Sequence, residues 1–229
     1  MVYNTLCVIV GLDPATFAKQ TRLQSTGSKM PFKFKKCTYQ DGTEFQGLYE
    51  ITPQLFTDSR GFFMESFNKN DFGAFGIKAT FVQHNVSKSK RGVLRGLHFQ
   101  TKHPQAKLQS VLSGRVYDVA VDLRSGSPTF GKYYGVILDA EKQNMFYIPE
   151  GFAHGFYVLS DEAIFTYKCT DFYDPTGEGG LMWNDPAIGI DWKAVAPEVN
   201  PLLSEKDGNH PAFDKGKKYF DINGKWMGE

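Results

Sequence analysis

Between Gly92 and Leu108 the chain reads GVLRGLHFQTKHPQAKL, and four of its side chains can bind or move charge: Arg95, His98, His103 and Lys107. An imidazole that titrates near neutrality, flanked by two fixed cations, suits a site that binds an anionic substrate and transfers a proton. The alternation from Val93 to Phe99 predicts a strand, with Arg95, Leu97 and Phe99 on one face and His98 on the other. A bulge, or the conformational freedom of Gly96, would bring Arg95 and His98 into one cavity. Without such a device the stretch is a surface strand with scattered polar groups.

Three other clusters bear on the same chemistry. Arg60-Gly-Phe-Phe-Met-Glu65 is a turn entering a strand, whose plainer reading is a cross-strand surface pair between Arg60 and Glu65. In Ile148-Pro-Glu-Gly-Phe-Ala-His154 a Pro-x-Gly turn delivers a histidine to the start of a strand. It resembles the second motif of the cupin superfamily, where that histidine is a ligand in the metal-dependent members. Here the earlier segment offers only His98, followed by Phe99 and Gln100, with His103 on an expected loop. Two histidines without a ligating carboxylate at suitable spacing make a poor metal site, so no catalytic metal is expected. The third cluster is Phe165-Thr-Tyr167-Lys168, followed by Tyr173 and Glu178. A strand tyrosine is ordinarily core or rim. Facing His98 across a barrel, Tyr167 would complete a pocket that deprotonates a carbon on one side and reprotonates it on the other.

The elements that must hold these groups are short strands. Twenty phenylalanines, eleven tyrosines and frequent glycine among 229 residues favour strands and tight turns over a helical bundle. Strand patterns fall at 47–52, 62–67, 80–86, 93–100, 133–138, 145–148, 155–159 and 163–170, with one short helix over 68–76 capped by Asn68 or Asn70. The clearest alternation, 115–124, places Val116, Asp118, Ala120 and Asp122 on one face and Tyr117, Val119, Val121 and Leu123 on the other. Nothing repeats, and no βαβ rhythm appears. The expected fold is all-β and mainly antiparallel, a cupin-like jelly-roll sandwich or barrel with a few short helices. Residues 1–29 read as an N-terminal appendage or linker, 30–207 as the single jelly-roll domain and 208–229 as a C-terminal tail.

A net charge of +1 points to neither nucleic acid nor a membrane surface. Cys7, Cys37 and Cys169 form no metal spacing and no disulfide framework, which fits a reducing cytoplasm. No apolar run approaches a membrane span, and the apolar patch at 5–12 lacks the basic residues that open a secretory signal.

Seven blocks then occur in order: Asp58-Ser-Arg-Gly-Phe-Phe-Met-Glu-Ser-Phe67, Phe81-Val-Gln-His-Asn-Val-Ser87, Gly92-Val-Leu-Arg-Gly-Leu-His-Phe-Gln100, Ser127-Pro-Thr-Phe-Gly131, Ile148 to Phe156, Trp183-Asn-Asp185 and Leu203-Ser-Glu-Lys-Asp207. Together they closely resemble the dTDP-4-dehydrorhamnose 3,5-epimerase family, dimeric jelly rolls of the metal-free cupin type, over about Phe45–Asp207. The resemblance implies a dTDP-4-keto-6-deoxy sugar substrate, a homodimer and no cofactor. It places the proton acceptor on His98, the donor on Tyr167, the carboxylate partner of the base on Asp207 and a substrate contact on Lys107, whose charge would stabilise an enolate oxygen as it develops. Substrate contacts fall on Arg60, Glu65, Gln83, Asn85, Arg95, His154, Glu178 and Lys206, with Tyr173 stacking on thymine and Phe63 in the nucleotide pocket. Arg60 and Arg95 would neutralise the diphosphate. Rival expectations are an epimerase acting at C3 or C5 alone or a ketoisomerase, a non-catalytic nucleotide-sugar binding module, and a metal-dependent cupin oxygenase.

Overall fold

The computed structural model describes residues 31–198 and 200–228, and the expected appendage over 1–29 lies outside them. Among the described residues thirteen strands account for most of the regular structure. One sheet runs in the order β1 (Phe32–Thr38), β2 (Glu44–Pro53), β10 (Met145–Ile148), β7 (Lys107–Ser113), β12 (Glu162–Cys169), β5 (Gln83–Lys90). The facing sheet runs β13 (Glu178–Gly180), β6 (Leu94–Gln100), β11 (Phe152–Val158), β8 (Arg115–Asp122), β9 (Tyr133–Asp139). Every pairing within them is antiparallel, and the non-consecutive orders are those of a jelly roll. A separate hairpin joins β3 (Phe56–Asp58) to β4 (Gly61–Phe63).

The 115–124 alternation holds residue by residue. Val116 and Ala120 enter the core between the sheets, with Val111, Phe146, Phe156 and Phe165. Tyr117, Val119, Val121 and Leu123 turn to the outer face of the five-stranded sheet. That face is covered by Trp192, Phe213, Tyr219 and Phe220 from the last third of the chain. Each phenylalanine so buried contributes about 1.5–3 kcal/mol. Across the other sheet's outer face lies α1 (Lys69–Phe75), which buries Phe72 against Phe32, Ile51 and Leu108. Asn68 caps it, its Oδ1 accepting from the Asn70 and Asp71 amides, and Gly76 ends it at a positive φ of 112°.

Several boundaries differ from expectation. The hairpin strand stops at Phe63 rather than Phe67, because residues 64–67 leave the ribbon towards the α1 cap. The strand expected at 80–86 lies at Gln83–Lys90, where its polar side chains pair with β12. Among the described residues no helix is long and apolar enough to cross a membrane.

Candidate active site

The inner faces of the two sheets gather most of the chemically able residues. Tyr167 on β12 is in register with Asn85 on β5 and Gln109 on β7. One rank along, Cys169 is in register with Gln83 and Lys107. The facing sheet sets His98 of β6 between Gly180 of β13 and His154 of β11.

A bulge decides what β6 presents. His154 pairs with His98, but Phe156 pairs with Arg95, so Gly96 and Leu97 together oppose Gly155 alone. The extra residue reverses parity: Leu94, Leu97 and Phe99 join the outer cluster, while Arg95 shares the inner face with His98. This corrects the plain alternation, which grouped Arg95 with Leu97 and Phe99. Only glycine fits at 96, since φ is +126° and a Cβ would stand 2.6 Å from the Gly155 Cα. The Gly96 amide is directed at Asp207 Oδ1, 3.4 Å away.

Asp207 reaches this point from α2 (Glu205–Gly208). Ser204 is the N-cap of this turn: its Oγ accepts from the Asp207 amide at 3.1 Å and donates to Asp207 Oδ2 at 2.7 Å. Oδ1 is thereby aimed at His98 Nε2, 2.5 Å away. Burial alone would raise the Asp207 pKa; the hydrogen bonds from His98 and Ser204 outweigh it and bring the carboxyl down to about 2. Because Nε2 is engaged, Nδ1 is the nitrogen left to take a proton from a bound molecule.

Beside it stands a second pair. His154 Nε2 meets Asp118 Oδ1 at 2.7 Å, with Asp118 fully buried. With the Gln109 amide turned so that its nitrogen faces the carboxylate, that nitrogen donates to Asp118 Oδ2 at 2.5 Å. Burial lowers the His154 pKa, against the opposing pull of Asp118. Lys107 Nζ stands 5.8 Å from the centre of the Tyr167 ring. Burial holds this ammonium below the ordinary lysine value, against the opposing pull of Cys169, Asp118 and Glu178. Burial likewise raises the Tyr167 phenol, which keeps its proton at neutral pH.

A polar chain leads outward from Tyr167. Gln83 Nε2 donates to Asn85 Oδ1 at 3.1 Å, and Gln83 Oε1 accepts from the Tyr173 amide at 3.0 Å. The Tyr173 hydroxyl donates to Glu178 Oε2 at 2.6 Å, and the same oxygen is paired with Lys206. Arg95 Nε donates to Ser89 Oγ at 3.2 Å. His103 does not join the group; it is exposed and pairs with Asp171. Arg60, Phe63 and Glu65 belong to the hairpin region. Arg60 pairs with Asp58 rather than Glu65, Phe63 is 45% exposed, and Glu65 accepts from Asn68 at 3.5 Å.

A family model described as dTDP-4-dehydrorhamnose 3,5-epimerase matches residues 42–215. The chain belongs to this family. The dTDP-4-dehydrorhamnose 3,5-epimerase of Methanothermobacter thermautotrophicus is 52% identical over 167 residues, 73% of this chain and 90% of that one. The crystal structure of the Elizabethkingia anophelis epimerase superposes with a TM-score of 0.73 at 52% identity, covering 82% of this chain and all of that one. A Legionella pneumophila dTDP-6-deoxy-D-glucose-3,5-epimerase solved in complex with dTDP-4-keto-L-rhamnose gives 0.72 at 46% identity, covering 79% and 92%. Family membership makes the chain an isomerase of the epimerase class, and the jelly-roll expectation stands.

Sequence reasoning passed over four residues of this epimerase's site: Asp118 and Gln109 beneath His154, Ser204 behind Asp207, and Ser89 beside Arg95. Asp118 had a readable signal, an acidic residue on the inward parity of the clearest strand. Ser204 had one too, in the Ser-x-x-Asp spacing.

Proposed function

We propose that this epimerase inverts C3 and C5 of dTDP-4-dehydro-6-deoxy-D-glucose, giving dTDP-4-dehydro-L-rhamnose for dTDP-L-rhamnose synthesis. The observation that carries the reading is the 2.5 Å contact between His98 on one sheet and Asp207 on α2, set against Tyr167 and Lys107 on the sheet that faces His98. The 4-keto group acidifies the hydrogens on C3 and C5. His98 Nδ1 removes each proton, and Asp207 holds the ring and balances the imidazolium that forms. Lys107 places positive charge where the enolate oxygen develops. Tyr167 returns a proton from the opposite side, inverting the centre, and solvent resets both groups. Gln83, Asn85, His154, Tyr173, Glu178 and Lys206 position the nucleotide sugar, and Arg95 with Arg60 meets its diphosphate.

Two further assignments accompany the chemistry. Phe62 and Phe63 are 53% and 45% exposed on the β3–β4 hairpin, an apolar surface that a second copy would cover, and we assign the working form as a homodimer. Light scattering at twice the chain mass supports this; a stable, active monomer rejects it. Cys37 and Cys169, both buried and free, suit a cytoplasmic setting.

The reaction is tested by NMR of dTDP-4-keto-6-deoxyglucose incubated with the enzyme in heavy water. Deuterium should enter at both C3 and C5. Deuterium at one carbon only would make the chain a single-site epimerase, and no incorporation would leave it a binding module.

A further inference from the structure

One buried group beside the catalytic pair has no part in that reaction. The His210 side chain is 9% exposed, and its Nε2 has no hydrogen-bond partner among the described residues. That nitrogen lies 3.8 Å from Asp207 Oδ1. The ring meets His98 edge-on, with centroids 5.4 Å apart. Space for it is provided by Gly180, where a Cβ would come within 2.3 Å of the imidazole. A buried, unsatisfied polar atom costs about 1–3 kcal/mol, so this nitrogen takes a partner from outside the chain, a water or an ion.

Three donor atoms converge here. His98, Asp207 and His210 each offer a ligand atom within 4.8 Å of the other two, and the Nε2 atoms of the two imidazoles stand 2.5 and 3.8 Å from Asp207 Oδ1. We propose that they form a zinc site whose occupancy switches the epimerase off. Two imidazoles and a carboxylate suit zinc, with water in a fourth position. Bonds of about 2.0–2.1 Å to a tetrahedral ion set neighbouring donors roughly 3.3 Å apart. The present separations of 2.5 Å from Asp207 to His98 and 3.8 Å from Asp207 to His210 bracket that value. Asp207 and His210 are three residues apart on α2 and its exit, so a small shift of this one segment adjusts both distances. A groove of about 1060 Å³ lined by Glu178, Ser204, Lys206 and His210 gives an ion access from the outer side.

The inhibitory consequence follows from the tautomer. Zinc on Nε2 of a neutral imidazole requires the ring's one proton to sit on Nδ1. Nδ1 is then a donor and can no longer accept a proton from C3 or C5. Gln83 and Asn85 on β5 lie outside the segment that shifts, whereas Lys206 moves with α2, so turnover falls far more than KM changes. This loss of turnover rests on His98 being the base; the binding of zinc does not.

The experiment titrates chelator-treated enzyme with Zn²⁺ across a range of substrate concentrations, and separately with Co²⁺ followed by its visible absorption. One equivalent of zinc should suppress kcat far more than it alters KM, and a chelator should restore it. Cobalt should develop the intense bands of a four-coordinate site. His210→Gln should keep its metal-free turnover, lose the cobalt bands and require at least about 10-fold more zinc for the same inhibition, since losing a ligand costs no less than losing an outer partner of one. Equal zinc sensitivity in wild type and His210→Gln, or a wild type indifferent to zinc with no cobalt bands, would overturn the proposal. Cobalt binding that depends on His210 while zinc leaves turnover intact would keep the metal site and remove His98 from its role as base.

Discussion

Two histidine–carboxylate pairs sit side by side in this molecule, and they differ in almost everything except composition. His98 and His154 are register partners on β6 and β11. The carboxylate of His154 comes from the next strand, 36 residues away, and is sealed with its partner at 10% and 0% side-chain exposure. The carboxylate of His98 comes from a helical turn 109 residues away, and His98 itself is 30% exposed. The closed pair has Gln109 to satisfy its remaining oxygen, whereas the open pair leaves Nδ1 for a ligand. A buried imidazole–carboxylate pair with every oxygen engaged is a brace that positions. The same pair opened to the space between the sheets is a reagent.

That contrast breaks first on activity. His98→Ala should lower kcat by about 10²- to 10⁴-fold, the usual range for a lost acid–base group, and abolish solvent deuterium incorporation while dTDP still binds. His154→Ala should raise KM and lower stability, yet retain exchange at C3 and C5. Single-turnover NMR in heavy water on both variants separates the two pairs. Equal loss of exchange in the His154 variant would mean that both histidines move protons.

Stability sharpens the contrast in the opposite sense. Asp118→Ala leaves the His154 ring and the Gln109 amide in the core without their shared partner, at a cost of about 1–3 kcal/mol for each unsatisfied group. Asp207→Ala should cost less, because the freed His98 ring can turn to water. Urea unfolding midpoints of the two variants give the order. A larger loss for Asp207→Ala would make the open pair the brace.

The sequence carries the first of these pairs only in part. Val116 to Leu123 announces both faces of β8 because polar and apolar residues alternate there without interruption, and the helix at 69–75 is announced by Asn68 and Gly76. By contrast, β7 places Lys107 and Gln109 on its inward face. A strand whose buried side is polar has no hydrophobic period to read. The parity of His98 and Arg95 depends on a bulge that one glycine permits but does not dictate. Asp207 is a local feature of its own helical turn, and nothing in the chain between residues 99 and 206 states that this turn closes on β6. Ordered blocks shared with a family supplied that link, since they carry the outcome of folding and not merely its local signals.

The smallest effect concerns acid. Asp207 has its pKa lowered from 3.8 to about 2, so the carboxylate is more stable in the folded chain than in the unfolded one. A depressed carboxyl contributes stability that is fully present above the unfolded value and is lost as pH falls through the folded one. The Asp118 carboxyl is pushed the other way by burial, so its ionisation opposes folding and acidification relieves that cost. Asp207→Asn should therefore be less stable than wild type at neutral pH, and the gap between the two should close as pH falls from 3.8 to about 2. Asp118→Asn should show no such closing gap. Urea midpoints measured across this interval decide it: a difference between wild type and Asp207→Asn that stays constant would mean that the His98 contact does not favour the charged carboxylate, and the distinction between an open reagent and a closed brace would lose its electrostatic half.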